Sequence, residues 1–379
     1  MAPSSTVTPS CPYPGASAVV GMGACASVGA SVEEFFEAVC RGASGLDTMR
    51  RFDTAAYRTA HAYPMYNAPD RVGAPSEWLC QVVADAAASA GLGDDLSNVP
   101  VLVGTGLREL RSAELAWQYD VRSLALDFGP VLRERFGCVE VHTWSNACSA
   151  SLYALALGHD LLALGRAETV IVAGVDTITE SMFASLDTVQ PTVTALRPFA
   201  AGDKGVLMGD GAAAVVLQGG GDALAWLRAV AVNCDAHHVT APDPASIESA
   251  IRDAHSLAGV HPEQVDVVVA HGTGTQLNDS AEASALAAVF DGLAPVITGV
   301  KSLIGHTAGS SGLLSLVIAV EAMRASRIPS IPELDEPMTE AANLNLAIGA
   351  PMDVQPHITQ VNAFGFGGVN AVAVVERAQ

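Results

Sequence analysis

The feature that most narrows what this chain can fold into is an internal repeat. Ala90-Gly91-Leu92 leads into Val99-Pro100-Val101-Leu102-Val103-Gly104-Thr105-Gly106, and Ala258-Gly259-Val260 leads into Val265-Asp266-Val267-Val268-Val269-Ala270-His271-Gly272. Each copy reads as a helix end, a short loop and a β-branched run suited to a strand buried on both faces. A second echo follows in each half. A turn opens a helix crowded with small residues, Cys148-Ser149-Ala150-Ser151 running to Leu164, and Thr307-Ala308-Gly309-Ser310-Ser311-Gly312 running to about Arg324. Small side chains let backbones approach, so these two helices are expected to pack face to face at the centre. The alternation of strands and helices predicts an α/β fold of two similar halves with mainly parallel sheets. The halves are expected to divide near Gly219-Gly220-Gly221, giving 16–220 and 221–379, with a loose Pro-, Ser- and Thr-rich lead at 1–15. The first strand is expected at Ala18–Gly23 and the first helix near Val32–Arg41, with Ser31 as its N-cap and Glu33 and Glu34 in its first turn.

Composition sets the outer limits. Half of the 379 residues are hydrophobic and 16% are charged, enough apolar material for a large interior. Nineteen Lys and Arg against forty Asp and Glu give a net charge of −21, the wrong sign for binding nucleic acid or an anionic membrane through the general field. The apolar stretches are too short or too interrupted for the ~20 residues that cross a bilayer. Met1–Gly15 lacks a basic region followed by an apolar one, so a cytoplasmic location is expected. Seven scattered cysteines without a C-x-x-C pair argue against a disulfide framework and a cysteine zinc site.

Three segments meet the demands of acyl chemistry. Ser145-Asn146-Ala147-Cys148-Ser149-Ala150-Ser151 places a cysteine between a strand, Val139–Thr143, and a helix. A thiol there is expected to have its pKa lowered by the helix dipole and a backbone N–H ready for an oxyanion, although a plain buried thiol fits the local sequence equally well. In Val269-Ala270-His271-Gly272-Thr273-Gly274-Thr275 a histidine follows a buried strand directly, at the end where an α/β sheet presents ligand-binding groups. Val300-Lys301-Ser302-Leu303-Ile304-Gly305-His306 sets a lysine five residues before a histidine that opens the second small-residue helix. His306 is thereby expected to take in its half the position that Cys148 holds in the first. His142, His159, His237 and His238 are read as structural. Asn362-Ala363-Phe364-Gly365-Phe366-Gly367-Gly368-Val369-Asn370 is a glycine loop between strands whose N–H groups could face a substrate carbonyl.

Together these segments resemble the β-ketoacyl-(acyl carrier protein) synthases, condensing enzymes of fatty acid and polyketide synthesis. The likeness runs from Val19-Val20-Gly21-Met22-Gly23 through Arg197-Pro198-Phe199 and Gly209-Asp210-Gly211 to the glycine loop. It implies a thiolase-like fold of five layers, αβαβα, and a homodimer. It also implies a catalytic Cys148, His271 and His306 with Lys301. Thr273 and Thr275 would bind a phosphopantetheine arm, Asp279 and Glu282 would support the site, and Phe366, between Gly365 and Gly367, would gate the acyl pocket. Substrates would ride on acyl carrier protein or coenzyme A, with no cofactor or metal required. The chain departs from the family pattern at Ala200-Ala201-Gly202-Asp203-Lys204-Gly205-Val206, at Val369, and in a short stretch between Tyr57 and Val99.

The expected reaction is a decarboxylative Claisen condensation. Cys148 would carry the acyl group, its oxyanion would meet the N–H groups of Cys148 and Phe366, and the two histidines would hold the enolate, with Lys301 keeping His306 neutral and oriented. Two rivals remain open on sequence: acyl transfer or ring closure without malonyl extension, and a non-catalytic partner subunit resembling a chain-length factor. Arg50-Arg51 and Arg108 with Arg111 are the candidate docking cations for an acidic carrier.

Overall fold

The computed structural model describes residues 15–65, 70–118, 126–202, 204–332 and 334–379; the expected lead at 1–15 and Asp203 thus lie almost wholly outside it. The first half runs β1 (Ser17–Ala26), α1 (Val32–Cys40), β2 (Asp47–Thr48), β3 (His61–Ala62), α2 (Ala74–Ser89), β4 (Val101–Gly104), α3 (Leu110–Gln118), α4 (Gly129–Phe136), β5 (Val141–Trp144), α5 (Ala150–Ala163), β6 (Thr169–Asp176), α6 (Glu180–Val189) and β7 (Gly211–Gln218). The second runs β8 (Ala225–Cys234), α7 (Pro244–Ala258), β9 (Val267–Val269), α8 (Gln276–Val289), β10 (Val296–Thr298), α9 (Lys301–Ile304), α10 (Ser311–Ala325), β11 (Ile358–Gly365) and β12 (Val369–Arg377). Ser31 caps α1 as its sequence suggests, its hydroxyl accepting from the Glu34 N–H.

The strand order is the same in both halves. It is β5-β4-β6-β7-β1 in the first and β10-β9-β11-β12-β8 in the second. The two join where Ser17–Val19 of β1 pairs with Ala225–Leu227 of β8, so the strands form one continuous ten-stranded sheet. The expectation of mainly parallel sheets is corrected: each half is mixed, parallel across β5-β4-β6 and β10-β9-β11, antiparallel across β6-β7-β1 and β11-β12-β8. The physical reason is that β11 and β12 form a hairpin through the glycine loop, which makes that pair antiparallel, and β7 returns against β6 in the same sense despite the intervening α6.

Helices complete the layers. α2 and α4 cover the outer face of the first half-sheet, α7 and α8 that of the second, and α5 and α10 lie between the two. In α10 every residue from Ser311 to Val320 is buried, so it has no wet face and needs no amphipathic stripe. Its apolar length, Ala308–Ala325, is that of a core helix sandwiched by two sheets. Close contact of the middle pair depends on Gly312: a Cβ there would stand 2.6 Å from Leu152 Cγ, and Ser151 Oγ on α5 accepts the Leu313 N–H. This places the N-terminal ends of both middle helices side by side at the strands' C-terminal ends, as the five-layered αβαβα expectation requires.

Candidate active site

Cys148 sits in a one-turn 3-10 segment, Ala147–Ser149, that feeds α5. Ala147 enters it at φ 47°, a left-handed conformation costing a non-glycine residue about 1–2 kcal/mol. The turn that feeds α10, Ala308–Ser310, repeats this strain with Ala308 at φ 46°. Matching the turns residue by residue pairs Cys148 with Gly309. The expected equivalence of Cys148 and His306 is therefore corrected: His306 precedes its turn, where the first half has Ser145.

His306 is buried and its two nitrogens have distinct surroundings. Nδ1 accepts the Ala308 N–H at 3.2 Å and lies 3.1 Å from Ser311 Oγ. A backbone N–H can only donate, so the ring proton belongs on Nε2, which faces Cys148 Sγ at 3.1 Å. His271, at the end of β9, lies edge-to-face with His306, ring centroids 5.4 Å apart. The cysteine sulfur and one nitrogen of each histidine lie within 4.8 Å of one another.

Lys301 is buried; its charge helps hold the His306 pKa down, as the sequence suggested, but its hydrogen bonds go to His271 and orient that ring rather than His306. Its Nζ lies 3.3 Å from His271 Nδ1 and donates to the His271 carbonyl. An ammonium at Nδ1 leaves the His271 proton on Nε2 as well. The two imidazoles thus converge as hydrogen-bond donors beside a fixed positive charge, an arrangement that opposes their use as metal ligands.

Burial dominates the titration of this cluster. It drives both imidazoles well below their usual pKa, with Lys301 adding to the effect, so both are neutral at pH 7. Lys301 itself falls to about 8, again through burial, opposed by Glu282, Cys148 and Asp279. Cys148 is pushed up to about 11 by burial, against the pull of Lys301 and the Phe366 N–H. The expected lowering by the helix dipole is corrected: loss of water around the sulfur outweighs a dipole that acts through one turn.

A layer of buried polar groups holds the histidine loop. Glu282 on α8 accepts the N–H groups of His271 at 2.7 Å and Gly272 at 2.8 Å, and Asn362 Nδ2 at 3.0 Å. Asp279 accepts the N–H groups of Phe199 at 2.8 Å and Gly274 at 3.2 Å and lies 3.7 Å from Lys204. Sequence reasoning missed the continuation: Gln360 bridges Asn362 at 2.8 Å to His255 at 2.7 Å, through the core to α7. Alternate polar residues on the buried strand β11 were the available signal.

The cluster opens into a cavity of about 170 Å³. Leu107, Met182, Val206 and Met208 give it apolar walls, while Thr273 and Thr275, whose hydroxyls are 2.9 Å apart, line its polar side. Phe366, half exposed, stands at the rim beside His238. Gly365 lies against the nucleophile's turn: a Cβ would come 3.1 Å from the Cys148 nitrogen and 2.8 Å from Val369. The candidate docking arginines do not share a free surface. Arg50 is exposed but paired with Asp47 at 3.2 Å. Arg51 is bound to Asp210, and Arg111 to Asp70 and Glu114, both arginines being nearly buried; Arg108 alone of these is exposed with no ion pair among the described residues.

A duplicated layered fold whose two inner helices present their mouths to one polar cluster defines the thiolase-like class. Within it the chain belongs to the β-ketoacyl synthase family: residues 140–223 match the family model described as "Beta-ketoacyl synthase, N-terminal domain" and residues 224–335 that described as its C-terminal domain. It is 30% identical over 317 residues to 3-oxoacyl-[acyl-carrier-protein] synthase 2 of Mycobacterium tuberculosis, covering 75% of each chain. It is 33% identical over 241 residues to nodulation protein E of Rhizobium meliloti, an alignment spanning 60% of this chain and only 59% of that protein. Among solved structures, the ishigamide ketosynthase/chain length factor superimposes with a TM-score of 0.87 at 26% identity, over 96% of this chain and 99% of that one.

Proposed function

We propose that the chain is a β-ketoacyl synthase that joins a Cys148-bound acyl group to a malonyl-type thioester. The observation that carries this reading is the convergence of the Cys148 sulfur with two neutral, Nε2-protonated imidazoles under one cavity. In the first half-reaction the Cys148 sulfur attacks the thioester carbonyl and the thiol's proton leaves with the departing carrier thiol. The oxyanion meets the N–H groups of Cys148 and Phe366, each such donor contributing about 2.7–4 kcal/mol. In the second, the bond from the malonyl carbon to its carboxylate breaks and CO2 departs. The electron pair resides on an enolate whose oxygen accepts from His271 and His306, and the enolate carbon attacks the acyl-Cys148 carbonyl. The Cys148–acyl bond then breaks with its electron pair on sulfur, and the thiolate takes a proton from solvent water.

The reading carries further proposals. Thr273 and Thr275 bind the phosphopantetheine arm of a carrier protein or coenzyme A, and Phe366 gates the acyl pocket. Asp279 and Glu282 hold the histidine loop through its backbone. No cofactor is needed, because burial and Lys301 supply the electrostatics. A homodimer forms along the open edge of β5, which Val139, 73% exposed, precedes by two residues. The setting is cytoplasmic and in polyketide, fatty acid or other specialised metabolism. Intact-protein mass spectrometry with a panel of acyl-carrier thioesters, followed by malonyl thioester and CO2 detection, tests the proposal. Acyl mass on Cys148 with no CO2 released would transfer the assignment to acyl transfer or ring closure.

A further inference from the structure

The repeat carries a second, filled copy of the site. Val101 of β4 pairs with Ile171 of β6 as Val267 of β9 pairs with Thr359 of β11. Following both registers forward, Thr105 takes the place of His271, Asp176 that of Phe364 and Gly309 that of Cys148. Where the working site holds an open cavity, its twin holds the carboxylate of Asp176, which is fully buried. That carboxylate accepts the N–H groups of Gly106, Leu107 and Gly309, each at 2.7 Å, and the Thr105 hydroxyl at 2.8 Å.

We propose that Asp176 is a positioning residue for His306: by gripping the Gly309 N–H it fixes the strained Ala308–Ser310 turn, so that the Ala308 N–H bears on His306 Nδ1 and the ring proton stays on Nε2 toward Cys148. Every link is a contact within hydrogen-bond distance, and the chain is short. Asp176 holds Gly309, Gly309 follows Ala308, Ala308 donates to His306 Nδ1, and His306 Nε2 meets the sulfur. Ala308 sits at φ 46°, a conformation that alanine abandons unless its neighbours hold it. Four donors on one carboxylate provide that hold, and the same grip ties the loop after β4 to the mouth of α10. Gly106 and Gly309 share one oxygen of the carboxylate and Leu107 and Thr105 the other, so an asparagine sets its NH2 against Leu107 on one side or against Gly106 and Gly309 on the other, whereas a serine withdraws both oxygens. The residue touches neither thioester nor sulfur, and its effect on turnover rests on the condensing reading above; its effect on the imidazole proton does not.

The test is ¹⁵N NMR of protein labelled at the histidine rings, with the His306 signals assigned by their loss in His306→Gln. In wild type His306 should show one protonated Nε2 and one unprotonated Nδ1. In Asp176→Asn these should collapse toward an exchanging mixture of tautomers, while the His271 signals stay in place. Thr105→Val, which removes the hydroxyl donor to Asp176 and the acceptor of the Arg108 N–H but leaves the Gly309 bond, should leave the His306 spectrum unchanged. Decarboxylation in Asp176→Asn should fall about 10–100-fold, as for other residues that orient a functional imidazole from behind, with acyl loading retained. If Asp176→Asn does not accumulate as folded protein, Asp176→Ser with added formate takes its place, and return of the wild-type tautomer on adding formate supports the proposal. A His306 tautomer unchanged in both Asp176→Asn and Asp176→Ser, or no response to formate in Asp176→Ser, overturns it. A wild type that shows the expected tautomer but releases no CO2 would overturn the condensing reading and leave the positioning role intact.

Discussion

The turns before α5 and α10 are the same backbone put to opposite uses. Each begins with an alanine in the left-handed region and each feeds a small-residue helix of the middle layer. At the second, the Gly309 N–H already holds an anionic oxygen, that of Asp176. At the first, the equivalent N–H belongs to Cys148, and the position facing it is the aromatic Phe364, which lines a cavity. The molecule thus displays in one half what the turn can bind, and in the other leaves that capacity to a ligand.

The sharpest way to break the comparison is to make the turns alike. Cys148→Gly gives the first turn the residue of its twin, so the fold should persist and covalent acyl loading should vanish altogether, read by intact mass. Any acyl adduct surviving on that variant places the nucleophile elsewhere. A gentler change narrows the opening. In Gly365→Ala the new methyl would press on Val369 and on the Cys148 nitrogen, displacing one oxyanion donor. Turnover should fall about 10²–10³-fold, the effect of removing one such donor, with circular dichroism unchanged; full activity would show that the Cys148 N–H is not used.

Much of this was readable in the residues, and the failures share a cause. The repeat Val99–Gly106 and Val265–Gly272 located both half-sheets because burial on two faces writes itself as a β-branched run. Cys148, His271 and His306 were legible because each stands in a distinctive local string. Asp176 was passed over: its partners are backbone N–H groups from two other segments, which have no sequence signature. Lys301 was expected both to keep His306 neutral and to orient it; its charge does the first, whereas the fold brings its ammonium against His271, thirty residues distant. The Cys148 thiol was expected to be acidic from its place at a helix start, yet its titration is set by burial, a property of all the layers around it.

The electrostatic asymmetry between the halves has its own test in pH. Lys301, with its pKa near 8, keeps its charge below that value and loses it above. As an ammonium it stabilises the Nε2–H form of His271 by donating to Nδ1, so the donor set is complete below pH 8 and weakens as pH rises through it. Decarboxylation should therefore decline above about pH 8, approaching tenfold per unit if the charged form alone is competent. Cys148 carries the acyl group in this step, and as a free thiol its pKa near 11 lies above the window, so it does not produce the limb. Lys301→Met should show low activity without the limb; a limb that persists in the variant belongs to another group.

The smallest expected effect concerns the rim on the Asp176 side. Leu107 lines the cavity wall and Arg108 follows it, exposed, at φ 54° with its N–H held by Thr105 Oγ1, the hydroxyl that also donates to Asp176. The closed half thus sets the position of a cation beside the mouth of the open one. In a chain of net charge −21, a carrier protein of acidic character would be repelled by most of the surface, so one cation at the rim with no ion pair among the described residues matters more than its number suggests. Arg51 and Arg111 cannot share this task, since each is already bound to internal carboxylates. Arg108→Glu should slow acyl transfer from an acyl carrier protein about threefold at low ionic strength, with the difference shrinking as salt approaches the screening range of ~0.15 M. Transfer from a small pantetheine thioester, which carries no protein field, should be unchanged. Equal slowing with both donors would mean that Arg108 supports the cavity wall rather than the encounter, and no change with either would place the docking surface away from this rim.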